Sequence, residues 1–117
     1  MAVKRDKDNY KFLKNLAVTA VKLKEYKKAL KWCKRMVKAD PTNVDAYNIF
    51  GVVYKKLNKL KKAITFYEKG LKISPDNSKI VHNLCVAYAA SGDKKKCVKM
   101  MRKRRLLKKQ ENADQDD

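Results

Sequence analysis

The sequence holds few of the residues from which catalytic, metal and phosphate sites are built. It has one histidine, and His82 has no partner at a spacing that suggests a catalytic dyad. Only three of the 117 residues are glycine, and none forms a glycine-rich phosphate loop. The acidic residues are scattered, and the three cysteines lack the close spacing of a metal or redox motif. We therefore expect no enzyme, no bound metal and no cofactor.

Long apolar runs are also missing. No stretch approaches the ~18 apolar residues that a membrane span requires. The N-terminus, Met-Ala-Val-Lys-Arg-Asp, has no apolar core of a secretory signal. We therefore expect a cytoplasmic protein with no membrane partner. A length of 117 residues fits one domain, and 44% apolar residues are enough to build a core.

Acidic residues are scarce compared with basic ones. There are 12 Asp and Glu against 31 Lys and Arg, which gives a net charge of +19. Most of the basic residues are lysines, whose ammonium group is a compact and strongly hydrated charge. The planar guanidinium of arginine is better suited to recognising phosphates and base edges. This composition favours general attraction to anions, and acidic proteins or peptides in particular, over specific recognition of nucleic acid.

The sequence does have a period of 34 residues. Its clearest unit runs from Val44 to Asn77 and carries apolar and small residues at helical spacing: Tyr47, Phe50, Gly51, Tyr54, Leu60, Ala63, Ile64, Tyr67, Gly70 and Leu71, closed by Pro75. A shift by 34 reproduces this spacing upstream, from Leu13 to Pro41, and downstream, from Val81 to Met101. A fixed period of this length is typical of a stacked repeat array.

The middle unit closely resembles the tetratricopeptide repeat, and the resemblance extends from Tyr10 to about Leu107. The outer units depart from it: Ala17 and Cys85 stand at the position of Gly51, and Cys97 stands at the position of Ala63. The resemblance implies an all-α fold, a right-handed superhelical solenoid of three helix-turn-helix units. It also implies a binding module, although ligands in this family vary from member to member.

The resemblance divides the chain into an N-terminal lead-in, three repeats and a tail. The parts are the lead-in at 1–9, repeat one at 10–43, repeat two at 44–77, repeat three with a basic terminal helix at 78–109 and an acidic disordered tail at 110–117. Helices are expected at about 9–23, 26–38, 44–57, 59–73, 78–90 and 94–109. Arrays of this family commonly end in an extra solvating helix. The sequence shows no such helix after 94–109, so we expect the last helix to serve as its own cap, a role that suits its many Lys and Arg residues.

The cysteines fall on packing positions of the repeat. We expect Cys33, Cys85 and Cys97 to be buried thiols, since free cysteine behaves as a small hydrophobe. Cys85 and Cys97 occupy the positions where the two helices of a repeat cross most tightly. They could be near neighbours that oxidise, and the sequence leaves this question open.

In this family the first helix of each repeat lines an inner groove, and the resemblance places the candidate peptide-binding residues there. These candidates are Lys11, Lys14, Val18, Asn48, Val52, Lys55, Lys79, His82 and Val86. The three valines recur every 34 residues, and they either face a ligand or pack between neighbouring repeats. Some family members bind the carboxylate ends of heat-shock chaperones through a clamp of five residues. Only Lys14 and Lys79 match that clamp, so we do not predict it.

A second basic feature is the last helix, Lys94–Lys109. The candidates there for contact with anions or nucleic acid are Lys94, Lys95, Lys96, Lys99, Arg102 and Lys103. Such a surface binds nucleic acid without sequence preference and raises association rates with acidic partners. No base-stacking aromatic residues accompany it.

The sequence therefore predicts a non-catalytic protein-interaction module, a scaffold or adaptor. We expect it to hold an extended or helical acidic peptide in its groove. Two alternatives stay open: a basic adaptor that associates with RNA or DNA through its outer helices, and a structural unit that self-associates end to end. The sequence does not decide the oligomeric state.

Overall fold

Six α-helices joined by short turns make up the described part of the chain. The computed structural model describes the backbone of residues 2–115 and the side chains of residues 10–106 and 108–110. The helices are α1 (Ala2–Lys22), α2 (Tyr26–Ala39), α3 (Val44–Lys56), α4 (Leu60–Ile73), α5 (Ser78–Ala90) and α6 (Lys94–Gln115). Each odd-numbered helix packs on the helix that follows it, and successive pairs stack on one another. The described residues thus form an all-α solenoid of three helical pairs.

The predicted helix bounds agree with the structure within one or two residues, except at the two ends. α1 begins at Ala2 rather than near Asn9, so the predicted lead-in is helical from residue 2. α6 continues to Gln115, beyond the end predicted for the last helix at about residue 109. Neither segment contains proline or glycine, so nothing in its sequence stops the helix. Residues 116–117 of the predicted tail lie outside the described residues.

The turn within each pair repeats the same backbone geometry. Lys24 and Asn58 both have φ of 61°, and Gly92 has φ of 88°. The residue after each of them donates its N–H to a carbonyl five residues back: Glu25 to Ala20, Lys59 to Tyr54 and Asp93 to Tyr88. A left-handed residue followed by such a bond closes a helix end by satisfying a carbonyl that the helix leaves free.

The turns between pairs end in asparagine caps. The Asn43 side chain accepts a hydrogen bond from the N–H of Ala46, and Asn77 does the same for Ile80. Each asparagine therefore satisfies an N–H that would otherwise lack a partner at a helix start. The caps place α3 and α5 at equivalent positions in the array.

The core lies between the odd-numbered and even-numbered helices and continues from one pair to the next. One cluster joins Ala17, Cys33 and Met36 to Phe50 of the next pair. The Phe50 and Phe66 rings stack with their centroids 4.4 Å apart. Because these clusters cross the boundaries between repeats, each pair buries its apolar face against its neighbours.

Gly51 lies at the closest approach of α3 and α4. A Cβ built on it would overlap the ring of Tyr67, a residue that is 1% exposed. Cys85 and Cys97 are the repeat-three equivalents of Gly51 and Ala63. The repeat pattern therefore predicts Ala63 as the partner of Gly51. Ala63 is buried in the same cluster as Tyr67, one turn earlier along α4. The aromatic ring, rather than the alanine, fills the space that the missing side chain leaves.

The structure pairs Cys85 with Cys97 as a disulfide between α5 and α6, with their Cα atoms 4.2 Å apart. Cys85 and Cys97 are therefore not thiols as expected, and the question of whether they lie close enough to oxidise, which the sequence left open, is answered by this pairing. The tight helix crossing expected at these positions is the physical reason. Cys33 is a buried free thiol, and burial raises its pKa to about 12.

Candidate peptide-binding face

The three odd-numbered helices form one continuous surface, which we call the A-helix face. The Tyr10 hydroxyl on α1 donates a hydrogen bond to the Asp45 carboxylate on α3. The Asn83 amide on α5 donates to Asn48 Oδ1 on α3 at 2.7 Å. These two bonds join α1 to α3 and α3 to α5, so side chains of all three repeats meet on this face.

The facing residues are not the periodic equivalents. Residues 34 apart hold equivalent places in successive repeats, whereas both of these bonds join residues 35 apart in sequence. In both bonds the contacting residues of neighbouring odd-numbered helices are therefore separated by one residue more than the repeat period. The sequence candidates, which were aligned on the period, included Asn48 but omitted Tyr10, Asp45 and Asn83. A search for polar pairs one residue beyond the period would have found them.

Asp45 is a carboxylate held by basic and hydroxyl groups of two neighbouring helices. The Lys14 ammonium lies 3.2 Å from its Oδ2, and Tyr10 donates to the same oxygen. Burial acts to raise the pKa of Asp45, but the hydrogen bonds from Tyr10 and Lys14 and the charges of Lys14 and Lys79 lower it below 3.8. Asp45 is thus ionised at neutral pH. Because its folded pKa is lowered, its contribution to stability is present above pH 3.8 and is lost as the pH falls below that value.

The candidate valines are all half-buried. Val52 packs against the cluster formed by α4 and α5, so part of its surface belongs to the contact between repeats two and three. Val18 and Val86 hold the equivalent places on α1 and α5. The packing alternative therefore applies to Val52, and each valine keeps part of its surface open to solvent.

The remaining candidates on this face are polar, and most are exposed. Lys11, Lys55 and Lys79 are exposed, while Lys14 is half-buried beside Asp45. Exposed His82 lies with Nδ1 3.2 Å from an Arg104 guanidinium nitrogen.

The Arg104 contact links α6 to the A-helix face. An arginine can only donate, so His82 Nδ1 is the acceptor in any hydrogen bond between the two side chains. The Nε of Arg104 is enclosed and lacks a hydrogen-bond partner among the described residues. The sequence analysis placed Arg104 in the basic last helix but did not single it out, because its contact with His82 depends on how α5 and α6 pack against each other.

The second set of candidates lies on α6. Lys94, Lys95, Lys96, Lys99 and Arg102 are exposed, and Lys103 is half-buried. Lys94, Lys95, Lys99 and Arg102 surround Val98 in a shallow hollow. The structure therefore separates the predicted candidates into two surfaces, the A-helix face and the outer side of α6.

The described residues also bear on metal binding and on membrane crossing. They contain no group of three or more His, Cys, Asp or Glu side chains that could hold a metal ion. None of the described helices has both the length and the apolar character that crossing a membrane demands.

Comparison with known proteins agrees with this architecture. Residues 1–113 match the sequence profile of the family described as the N-terminal TPR repeats region of Psidin. A search of curated protein sequences gives no match. The crystal structure of MamA is similar, with a TM-score of 0.83 and 23% identity over 89% of this chain and 61% of the MamA chain. This chain thus spans about three fifths of the MamA chain.

A second similar structure is the second TPR domain of Spaghetti (RPAP3), bound to the HSP90 peptide SRMEEVD. Its TM-score is 0.81, with 18% identity over 92% of this chain and 99% of that one. At this level of identity, the two structures bear on the fold alone.

Proposed function

The chain belongs to the family of the Psidin N-terminal tetratricopeptide repeat region, and from that premise we propose that it is a non-catalytic module that binds acidic peptides on its A-helix face. The observation that carries the proposal is the environment of Asp45. A carboxylate there already accepts from Tyr10 and pairs with Lys14, with the charge of Lys79 nearby. A peptide carboxylate on this face would likewise accept from a hydroxyl and pair with lysines. The similar RPAP3 domain is bound to a peptide that contains Glu-Glu and Asp.

The proposed ligand also has apolar side chains. Val18 and Val86 are half-buried, so a ligand that covers them would remove their remaining apolar surface from water. Completing the burial of these two half-buried valines is worth about 1.5 kcal/mol or more in total, whereas an exposed ion pair contributes under about 1 kcal/mol. Apolar contacts therefore supply most of the affinity, and the lysines mainly raise the association rate.

We expect Val18→Asp to weaken binding of such a peptide by more than about tenfold, because it places a carboxylate in a desolvated contact and repels the ligand. The measurement is fluorescence anisotropy with short peptides that carry leucines between glutamates, and with matching glutamine peptides. Val18 serves better than Val52, whose substitution would also disturb the core. Circular dichroism checks that the helices persist.

The matched control replaces Lys94, Lys95, Lys96, Lys99, Arg102 and Lys103 with glutamine. This α6 variant should bind the glutamate peptides nearly as the wild type does. Equal binding by Val18→Asp and the wild type would refute the role of the A-helix face. Nucleic-acid binding through exposed α6 is the second candidate function, favoured by the eight exposed basic residues that the structure describes on it. It would be lost in the α6 variant and retained in Val18→Asp.

Asp45→Asn should strengthen binding of the glutamate peptides by about threefold to tenfold. The reason is that Asp45 occupies Lys14 and Tyr10, which the substitution frees for the ligand. Asp76→Asn is the matched control, because it makes the same charge change at an exposed residue in the turn before α5. Equal gains in the two variants would mean that net charge alone acts, and Asp45 would then have no specific role.

A further inference from the structure

The first repeat exposes a stripe of residues on α1 that faces away from the rest of the array. The stripe consists of Phe12, Asn15, Leu16 and Thr19 of α1, continued by Leu23 in the turn that follows, and it borders a hollow that Trp32 of α2 also lines. Phe12 is 62% exposed and Leu23 is 64% exposed. We call this surface the N-terminal end face.

In the other repeats the positions equivalent to Phe12 and Leu16 are buried against the preceding helical pair. Ala46 and Ile80, which are equivalent to Phe12, are both 0% exposed. Phe50 and Leu84, which are equivalent to Leu16, are 4% and 0% exposed. The stripe on α1 is therefore one half of an inter-repeat interface whose other half lies outside the helices described.

The opposite end of the array exposes the other half of the same kind of interface. Val98 is 46% exposed and Met101 is 54% exposed on α6. In repeat two the equivalent of Val98 is Ile64, which is half-buried. The equivalent of Met101 is Tyr67, which is 1% exposed in the cluster that joins α4 to α5. We call the surface around Val98 and Met101 the C-terminal end face.

We propose that the N-terminal end face of one copy of this chain binds the C-terminal end face of a second copy. The contact would continue the internal α2–α3 and α4–α5 interfaces by one further step of the same period. A single chain carries both halves, so a second copy supplies what each end lacks. Such a head-to-tail contact is not closed by symmetry and can extend beyond a dimer.

The charge of the chain gives this contact an unusual salt dependence. Two chains of net charge +19 repel each other, and added salt screens that repulsion. Self-association should therefore strengthen with salt. Binding of an acidic peptide or nucleic acid has the opposite dependence, because salt weakens attraction between unlike charges. The sign of the salt effect separates the two kinds of contact.

The experiment is sedimentation velocity of the full chain over a range of protein concentrations, at low and high sodium chloride. We expect the average mass of the wild type to rise with protein concentration and with salt. Phe12→Asp and Met101→Asp should each weaken self-association by about tenfold or more, because each removes one apolar half of the contact. Ile73→Asp is the matched control: it also replaces an exposed apolar residue with Asp, away from both end faces.

Mixing the two variants tests the head-to-tail geometry. Phe12→Asp keeps an intact C-terminal end face and Met101→Asp keeps an intact N-terminal one, so an equimolar mixture should form one-to-one pairs and nothing larger. A wild type that stays monomeric at high salt and high concentration would overturn the proposal, as would a mass that falls with salt. Loss in one variant alone would also overturn it, since that result indicates a symmetric contact.

Peptide binding on the A-helix face is tested independently with the same protein variants. The monomeric Phe12→Asp variant should bind glutamate peptides as the wild type does, because Phe12 lies off the A-helix face. Peptide binding without self-association refutes the stacking proposal alone. Self-association without peptide binding refutes the proposed function alone.

Discussion

Replacing Gly51 with leucine is expected to lower the free energy of unfolding by about 3 kcal/mol, the upper end of the usual range for overpacking. The loss arises because a Cβ at this position already overlaps the Tyr67 ring, and Tyr67 is enclosed on its other sides by the cluster between α4 and α5. For a domain of this size, such a loss lowers the Tm by roughly 10–20 °C. Urea denaturation followed by circular dichroism measures it.

A double-mutant cycle with Tyr67→Leu identifies the cause. Gly→Ala in the middle of a helix normally stabilises a protein by about 0.5–1 kcal/mol. At Gly51 we expect alanine to destabilise the wild type and to cost much less in the Tyr67→Leu background, because the smaller side chain leaves room for the Cβ. Equal costs in both backgrounds would mean that the ring is not what opposes a side chain at Gly51.

Reducing the disulfide between Cys85 and Cys97 is expected to lower the free energy of unfolding by about 3 kcal/mol, mainly by releasing a constraint on the unfolded chain. The two cysteines are 12 residues apart, so the bond closes a short loop that contains the α5–α6 turn. The measurement is urea denaturation with and without a phosphine reductant, with the oxidation state confirmed by mass spectrometry.

Cys97→Ala is the control for the disulfide experiment, since it should unfold at the same urea concentration with or without reductant. Cys33 should not contribute a reductant effect, because it is buried and its pKa is raised to about 12. An oxidised wild type whose unfolding midpoint does not move on reduction would contradict the prediction.

The fold was predictable because the signals that determine it are local and repeat. Pro41 and Pro75 end two helices, and Ser91-Gly92-Asp93 marks a turn, so the bounds of α2 to α5 followed from neighbouring residues. The outer ends of α1 and α6 carry no such stop signal. Polar composition there suggested a lead-in and a tail, although polar residues without glycine or proline continue a helix equally well.

The candidate site was less predictable, because it depends on contacts between repeats. The period places Lys14, Asn48 and His82 in equivalent positions, but bonds on the A-helix face join residues one place beyond the period. Arg104, on the second helix of repeat three, contacts His82 on the first helix, and the repeat pattern does not show this contact. A sequence pattern gives equivalence between repeats, whereas the offset between neighbouring helices is a property of their three-dimensional packing.

The left-handed residue in each intra-repeat turn bears on how such chains diverge. The same backbone conformation is adopted by Lys24, Asn58 and Gly92, three side chains with little in common. Glycine adopts it without steric cost, asparagine at a modest cost, and lysine at about 1 kcal/mol or more. The array thus tolerates an unfavourable residue at a recurring position without losing the turn. Related chains with such turns can therefore differ at most of their residues and keep the same backbone. Structural similarity in this fold then outlasts sequence similarity.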